Sequence, residues 1–290
     1  TSSMAEHAGQ LIRRREDPRL VTGTGQFIDD LRFADCLHAA ILRSPHAHAR
    51  ILAIDTSRAA KAPGVVAVVT GADLGRANAP IPVFNEHPGL PRACGIVPLA
   101  TGRVRFVGEP VAAVVATDRY LAQDALELIA VEYEALPAVT DVEAALAAGA
   151  PLVHEALGTN VAADWRQRVG DLDGAFQDAD VVVRVKLKVA RGGGHPLETR
   201  GLVVRPEGDR LTVWAAIQMV HRHRRFIARQ LGLPEEQLRV IAPPDVGGGF
   251  GTKGQFYPED IIVPALALRL DRAVKWIEDR REHTLGSYVE

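Results

Sequence analysis

Gly247-Gly248-Gly249-Phe250-Gly251-Thr252-Lys253-Gly254 is the stretch on which the reading of this chain turns. Four glycines in five residues around one large aromatic suit neither a helix nor a strand, where each glycine costs roughly 0.5–1 kcal/mol against alanine. Such a run fits a place where bare backbone comes close to another body, either a ligand or a tightly packed neighbour. Upstream, Leu238-Arg239-Val240-Ile241-Ala242 reads as a buried strand. Downstream, Pro258-Glu259-Asp260 opens a helix, with proline in its first turn and acids at its positive end. A glycine-rich loop between a strand and a helix start offers unpaired amides that can cradle an anion or a cofactor.

The same residues formally match GxGxxG, and Glu278 stands where a dinucleotide fold wants its acid. The context argues against that fold. Pro243-Pro244-Asp245 separates the strand from the glycines, and the helix starts after the last of them, whereas dinucleotide binding needs a tight strand-to-helix turn. Lys253 is not followed by Ser or Thr, so a P-loop fails as well.

Composition is that of an ordinary globular protein: 290 residues, 47% hydrophobic, 24% charged. A net charge of −2 predicts no general attraction to nucleic acid or to anionic membranes. No apolar run reaches the ~20 residues that span a bilayer, and Thr1 to Gln10 lacks the apolar core of a secretory signal. The two cysteines, Cys36 and Cys94, fit a reducing compartment and cannot by themselves hold an iron–sulfur cluster. A cytoplasmic location is expected.

Residues 1–17 read as a mixed-charge arm. From 18 to 140, strands (Cys36 to Leu42, Arg50 to Ile54, Val65 to Val69, Pro110 to Ala116, Val131 to Glu134) interleave with short helices, one of them capped by Asp118. An Ala-rich helix is expected over Asp141 to Ala150, within a connector spanning 141–170. The second half, 171–290, opens with a helical turn over Gly170 to Phe176. Val181, Val183, Val185, Leu187 and Val189 then share one face of a predicted half-exposed strand. A hairpin of Leu202 to Val204 and Leu211 to Ile217, and a helix from Met219 to Leu231 stopped by Gly232, complete the pattern. The fold class is α+β (mixed α/β).

Individual side chains carry weaker signals. Gln218, the first polar residue after an apolar run, could donate to an oxo or phosphate oxygen, or equally N-cap the next helix. In His221-Arg222-His223-Arg224-Arg225 the histidines lie two apart on a helix and cannot chelate one ion, so His223 is expected in the core. His46-Ala47-His48 lacks a third ligand for zinc. Glu198 and Arg200 could line a site, but a structural ion pair fits them better.

Arg19-Leu20-Val21-Thr22-Gly23, Phe27-Ile28-Asp29-Asp30, Arg43-Ser44-Pro45-His46-Ala47-His48-Ala49-Arg50-Ile51, Pro63-Gly64-Val65 and Val107-Gly108-Glu109-Pro110-Val111-Ala112 together resemble the "hammerhead" α/β domain of xanthine dehydrogenase-type molybdenum hydroxylases. Trp214-Ala215-Ala216-Ile217-Gln218, Asp245 to Lys253, and Val274 to Arg280 resemble the first part of that family's molybdopterin-binding region, in collinear order. The resemblance implies a large-subunit component that oxidises a small substrate, such as an aldehyde or an N-heterocycle, with water as oxygen source. Its cofactor would be a molybdenum-pterin, in the molybdopterin cytosine dinucleotide form common in bacterial relatives. Electrons would pass to a [2Fe–2S] subunit and an FAD subunit. Cofactor contacts would fall on Gln218, Gly248, Gly249, Phe250 and Gly251, with Gln218 and Phe250 near molybdenum and no direct metal ligand in the chain.

The family's catalytic glutamate would lie beyond residue 290, so the remaining part of the molybdenum subunit is an implied partner and the chain alone is expected to be inactive. Gly254 stands where purine-oxidising members carry glutamate, which argues against xanthine as substrate and leaves aldehydes, N-heterocycles or carbon monoxide open. Two other readings compete: a non-catalytic assembly or docking subunit, and an NAD(P)-binding dehydrogenase.

Overall fold

The computed structural model describes residues 9–81, 94–164, 166–189 and 192–287. Residues 1–8 of the arm and most of the Pro-rich loop Ala79 to Pro98 lie outside them.

Among the described residues, ten strands form two sheets. β1 (Leu37–Arg43), β3 (Val65–Thr70), β5 (Pro110–Ala116), β7 (Gly201–Glu207), β8 (Arg210–Ala215), β9 (Leu238–Ile241) and β10 (Val274–Ile277) build a seven-stranded sheet in the order β3-β5-β1-β10-β7-β8-β9. β2 (Ala49–Asp55), β4 (Arg103–Val104) and β6 (Ala130–Ala135) form a three-stranded sheet, β4-β2-β6. The large sheet is mixed: β1/β10 and β8/β9 run parallel, and its other pairs antiparallel. That excludes the all-parallel doubly wound sheet of a dinucleotide-binding fold.

Strand periodicity explains how helices cover both faces. β5 is buried along its whole length; Ala113 and Val115 point to one side, Ala112, Val114 and Ala116 to the other. On the first side lie α4 (Val220–Leu231) and α5 (Glu259–Leu270), which contribute Ile227, Ile261, Ile262 and Leu266 to the main core. On the second, α2 (Arg119–Leu126) packs Ala122, Ala125 and Leu126, its first turn capped by the Asp118 carboxylate 2.8 Å from the Tyr120 amide. Ile28, Leu31 and Phe33 cover the far face of the β7/β8 hairpin at Val203 and Trp214. Lys275 Nζ fastens that segment by donating to the Asp29 carbonyl at 2.6 Å.

Two expected elements are absent. Asp141 to Ala150 makes only a single 3-10 turn, Ala144–Leu146, which leaves Leu146 exposed; a ten-residue helix without a packed face does not offset its nucleation cost. Val181 to Val189 pairs with no strand among the described residues, and Val181, Val183, Val185, Leu187 and Val189 are all exposed. Its lysines instead reach the connector, Lys188 to Asp141 at 2.8 Å and Lys186 to Glu143. Two short helices went unpredicted, α1 (Asp17–Val21) and α6 (Arg280–Gly286); the latter is opened by a capping box between Asp279 and Glu282. The remaining helix, α3 (Leu172–Gln177), occupies the predicted helical turn.

Sequence motifs far apart in the chain meet here. The Ser44 amide donates to Glu109 O at 2.9 Å, and the Gly108 amide to Ser44 O at 2.8 Å. Gly108 has φ +95°, and a Cβ there would sit 2.7 Å from Leu285 O, so α6 packs on the bare glycine.

Candidate functional site: a glycine-loop cradle

The glycine run leaves β9 through Pro243-Pro244 and is fixed before it turns. Buried Asp245 accepts from Arg19 Nη2 at 2.6 Å and from the Gln26 amide at 2.8 Å. Those hydrogen bonds, Arg19 first, hold its carboxyl below the usual range. The N-terminal arginine motif and the glycine motif are therefore one structural unit.

Beyond Gly247 the backbone takes the left-handed region three times, at Gly248 (φ +95°), Phe250 (φ +47°) and Gly251 (φ +89°). For Phe250, a bulky L residue, this conformation is strained. A short turn closes the loop, with the Thr252 amide donating to Gly249 O at 3.1 Å and the Gly254 amide to Gly251 O at 3.0 Å. Among the described residues no acceptor faces the amides of Gly248, Gly249, Phe250 or Gly251. Phe250 is 69% exposed, whereas Thr252 and Lys253 at the end of the loop are buried.

Gln218 follows β8 and sits against this loop. Its amide donates to Lys253 O at 2.9 Å. Its carboxamide lies between two glycines: a Cβ on Gly249 would be 2.9 Å from its Nε2, and one on Gly254 3.2 Å from its Oε1. The capping alternative falls, because Met219 is the N-cap of α4 and no side chain caps it. The five residues named from sequence thus form one cluster: an exposed, neutral carboxamide beside a run of unpaired amides.

A third segment, 192–198, closes the far side. A Cβ on Gly194 would lie 2.8 Å from Phe250 Cβ and closer still to its carbonyl oxygen. Gly194 O in turn accepts from His283 Nε2 at 2.8 Å, while His283 Nδ1 lies 2.8 Å from Glu278. Sequence reading missed both contacts, since Gly192-Gly193-Gly194 carries no motif of its own.

Below the cradle lies a buried ionic cluster. Arg200 donates through Nε to Glu278 at 3.0 Å and through Nη1 to Glu259 at 3.1 Å, and its guanidinium stacks 3.7 Å over the Tyr257 ring. Arg43, from the first half of the chain, reaches Glu259 at 2.6 Å and Glu282 at 3.1 Å. Burial pushes the Glu278 carboxyl up, but Arg200 and the His283 hydrogen bond outweigh it and bring it down to about 2. For Glu282 burial wins over Arg43 and the carboxyl rises to about 7.

The Glu278 shift has a signed consequence. A carboxyl at 4.5 when unfolded and about 2 when folded gives stability that is complete above pH 4.5 and lost as pH falls through 2. Thermal melts of wild type and Glu278→Gln across that interval should converge towards the acid end. Parallel curves would mean that Glu278 does not control the acid limb.

Other candidates are placed elsewhere. His223 is core, with Nδ1 3.0 Å from Met219 O and its ring edge-on to Phe256. His48 bonds Pro137 O at 2.9 Å and His46 packs on Tyr133. Among the described residues there is no cluster of three His, Cys, Asp or Glu that could hold a metal, and no helix is long and apolar enough to cross a membrane. Cys36 and Cys94 are both free.

The protein is thus of the mixed α+β class, with its glycine loop packed against the Gln218 carboxamide. Residues 22–137 match the aldehyde oxidase and xanthine dehydrogenase a/b hammerhead domain, and residues 153–289 the molybdopterin cofactor-binding domain. The chain belongs to the molybdenum-binding large-subunit family of xanthine dehydrogenase, aldehyde oxidase and aerobic carbon monoxide dehydrogenase.

Among its relatives, the 6-hydroxypseudooxynicotine dehydrogenase complex subunit gamma of Paenarthrobacter nicotinovorans is 41% identical over 95% of this chain and 35% of its own length. The nicotine 6-hydroxylase large subunit of the same organism is 40% identical over 97% of this chain and 34% of its own. In structure, quinoline 2-oxidoreductase from Pseudomonas putida 86 superposes with a TM-score of 0.88 at 42% identity, covering 96% of this chain and 35% of that one. The chain thus spans about a third of the length of these relatives.

Proposed function

We propose that this chain supplies one wall of the molybdenum-pterin site in a hydroxylase that oxidises a small N-heterocyclic or aldehyde substrate with water as oxygen source. The observation that carries the reading is the run of four amides, Gly248 to Gly251, that find no acceptor among the described residues and lie beside the Gln218 carboxamide. The fit is chemical. Consecutive amides suit the oxygens of a pterin cofactor, above all an extended anionic one such as the cytosine dinucleotide form. A Cβ at Gly249 would intrude on Gln218 and narrow the gap between them.

When bound, the molybdenum-pterin supplies the redox and oxygen-transfer chemistry. The chain's own contribution is binding and orientation. The amides of Gly248, Gly249, Phe250 and Gly251 would hold the cofactor, and the Gln218 NH2 would donate to it without titrating. The exposed Phe250 ring would exclude water beside it.

The names of the relatives, built on nicotine, 6-hydroxypseudooxynicotine and quinoline, favour an N-heterocycle over an aldehyde. Their description as subunits supports a multi-subunit complex here; in this reading its other parts are the rest of the molybdenum site, a [2Fe–2S] subunit and an FAD subunit. The matched spans, 22–137 and 153–289, support a two-part chain, the second span beginning inside the 141–170 connector; we divide the chain into an arm at 1–17, a hammerhead part at 18–140, the connector, and a cofactor-binding part at 171–290. The seven-stranded sheet nevertheless draws strands from both halves.

The test combines metal analysis of the native complex with Gln218→Ala. The complex should contain molybdenum, and loss of the carboxamide should lower turnover by about 10–100-fold, the range for a lost outer-shell partner. A metal-free complex with full activity would end this reading.

A further inference from the structure

We propose that Glu198 and Lys253 are positioning residues that clamp the two ends of the glycine loop and so set the direction of its amides. One carboxylate oxygen holds both ends. Glu198 Oε2 accepts from the Gly247 amide at 2.7 Å, where the loop begins, and from Lys253 Nζ at 2.6 Å, where it ends. The backbone reinforces the first contact, since the Glu198 amide donates to Gly247 O at 3.2 Å. A Cβ on Gly247 would lie 2.5 Å from Glu198 Cβ, so only glycine permits this approach. The other carboxylate oxygen accepts from the Ile28 amide at 3.3 Å, tying the clamp to the segment that covers the β7/β8 hairpin.

Lys253 does not behave as a glycine-loop lysine aimed at an anion. Its side chain is 0% exposed and its Nζ meets Glu198 Oε2 at 2.6 Å. Its charge is therefore committed to Glu198. Between the clamped ends sit the three left-handed residues, including the strained Phe250. Such a backbone persists only where its surroundings over-determine it. The end at Lys253 also receives the Gln218 amide, so the clamp sets the spacing between the carboxamide and the loop as well. Arg280 steadies the Glu198 segment by donating to Pro196 O at 2.7 Å and Leu197 O at 3.0 Å.

The inference rests on the loop being a cofactor cradle, so the experiment separates the two ideas. In the full-length subunit within its complex, Lys253→Met, Lys253→Arg and the pair Glu198→Gln/Lys253→Gln are compared with wild type. The readouts are molybdenum per large subunit, the electron paramagnetic resonance signal of the partly reduced metal, and the thermal midpoint. Lys253→Met should lower molybdenum content about 10-fold or more. Lys253→Arg keeps the charge but puts a bulkier, planar head in a fully buried site, and should lower the midpoint modestly while shifting the resonance signal. The double variant keeps a hydrogen bond between the two side chains with no buried charge, and should regain most of the molybdenum lost by Lys253→Met. If Lys253→Met does not accumulate, the arginine and double variants decide. Folded variants with wild-type molybdenum content and an unshifted signal overturn the clamp. A wild-type complex without molybdenum overturns the cradle reading instead.

Discussion

Gly194→Ala should abolish most cofactor loading, although it adds a single methyl group. Its Cβ would stand 2.8 Å from Phe250 Cβ and nearer still to the Phe250 carbonyl, and a main-chain oxygen cannot swing aside as a side-chain tip can. Either the 192–198 segment or the loop tip must move. Moving the former disturbs the bond from His283 to Gly194 O; moving the latter redirects the amides of Phe250 and Gly251. A displacement near 1 Å in such a cradle costs about 10²-fold in turnover. Gly193→Ala is the internal control, because its Cβ would meet only the His195 ring at an ordinary 3.5 Å. Molybdenum content and turnover of the two variants, measured side by side, check the prediction. Equal behaviour would show that the glycine at 194 is not required for its closeness to Phe250.

The second large effect concerns stability. Arg200→Met removes the cation shared by Glu278 and Glu259, whose side chains are 0% and 2% exposed. Methionine fills much of the volume but leaves Glu278 without its strongest partner and Glu259 with Arg43 alone. Breaking a buried ion pair from one side typically costs about 3–5 kcal/mol. Denaturant unfolding should register a loss of that order, with Arg200→Lys in between, since an ammonium keeps the charge without the guanidinium fork or the stack on Tyr257. A loss below about 1 kcal/mol would show that the carboxylates find other partners or water. Because Arg43 and Arg200 share Glu259, the double variant should not be additive.

What could be read from sequence follows a physical division. Pro110 to Ala116 was legible because a continuous apolar run can be satisfied only by burial on both faces, and all seven residues are buried. Gln218 and the glycine loop were legible as residues but not as a site. Nothing local says that the Gln218 carboxamide lies between Gly249 and Gly254, or that Lys253 points inward. Those facts depend on Glu198, Arg19 and His283, which are distant in sequence. Val181 to Val189 shows the converse failure. Its alternation describes a face that wants cover, but a strand exists only beside another strand, and none lies there among the described residues. Asp141 to Ala150 failed because helix propensity without a packing partner does not hold a helix.

The placing of β10 between β1 and β7 governs the order of events during synthesis. Leu37 pairs with Val274, and the Leu37 amide donates to Ala273 O at 2.8 Å, so one edge of β1 waits until residue 274 has been made. At translation rates of about 5–20 residues per second, that wait lasts on the order of ten seconds or more. Over that interval the nascent N-terminal half presents an unpaired strand edge, and Arg43 emerges long before Glu259 and Glu282 exist to meet it. The strand made after the other nine described ones is the one that joins the two parts of the sheet.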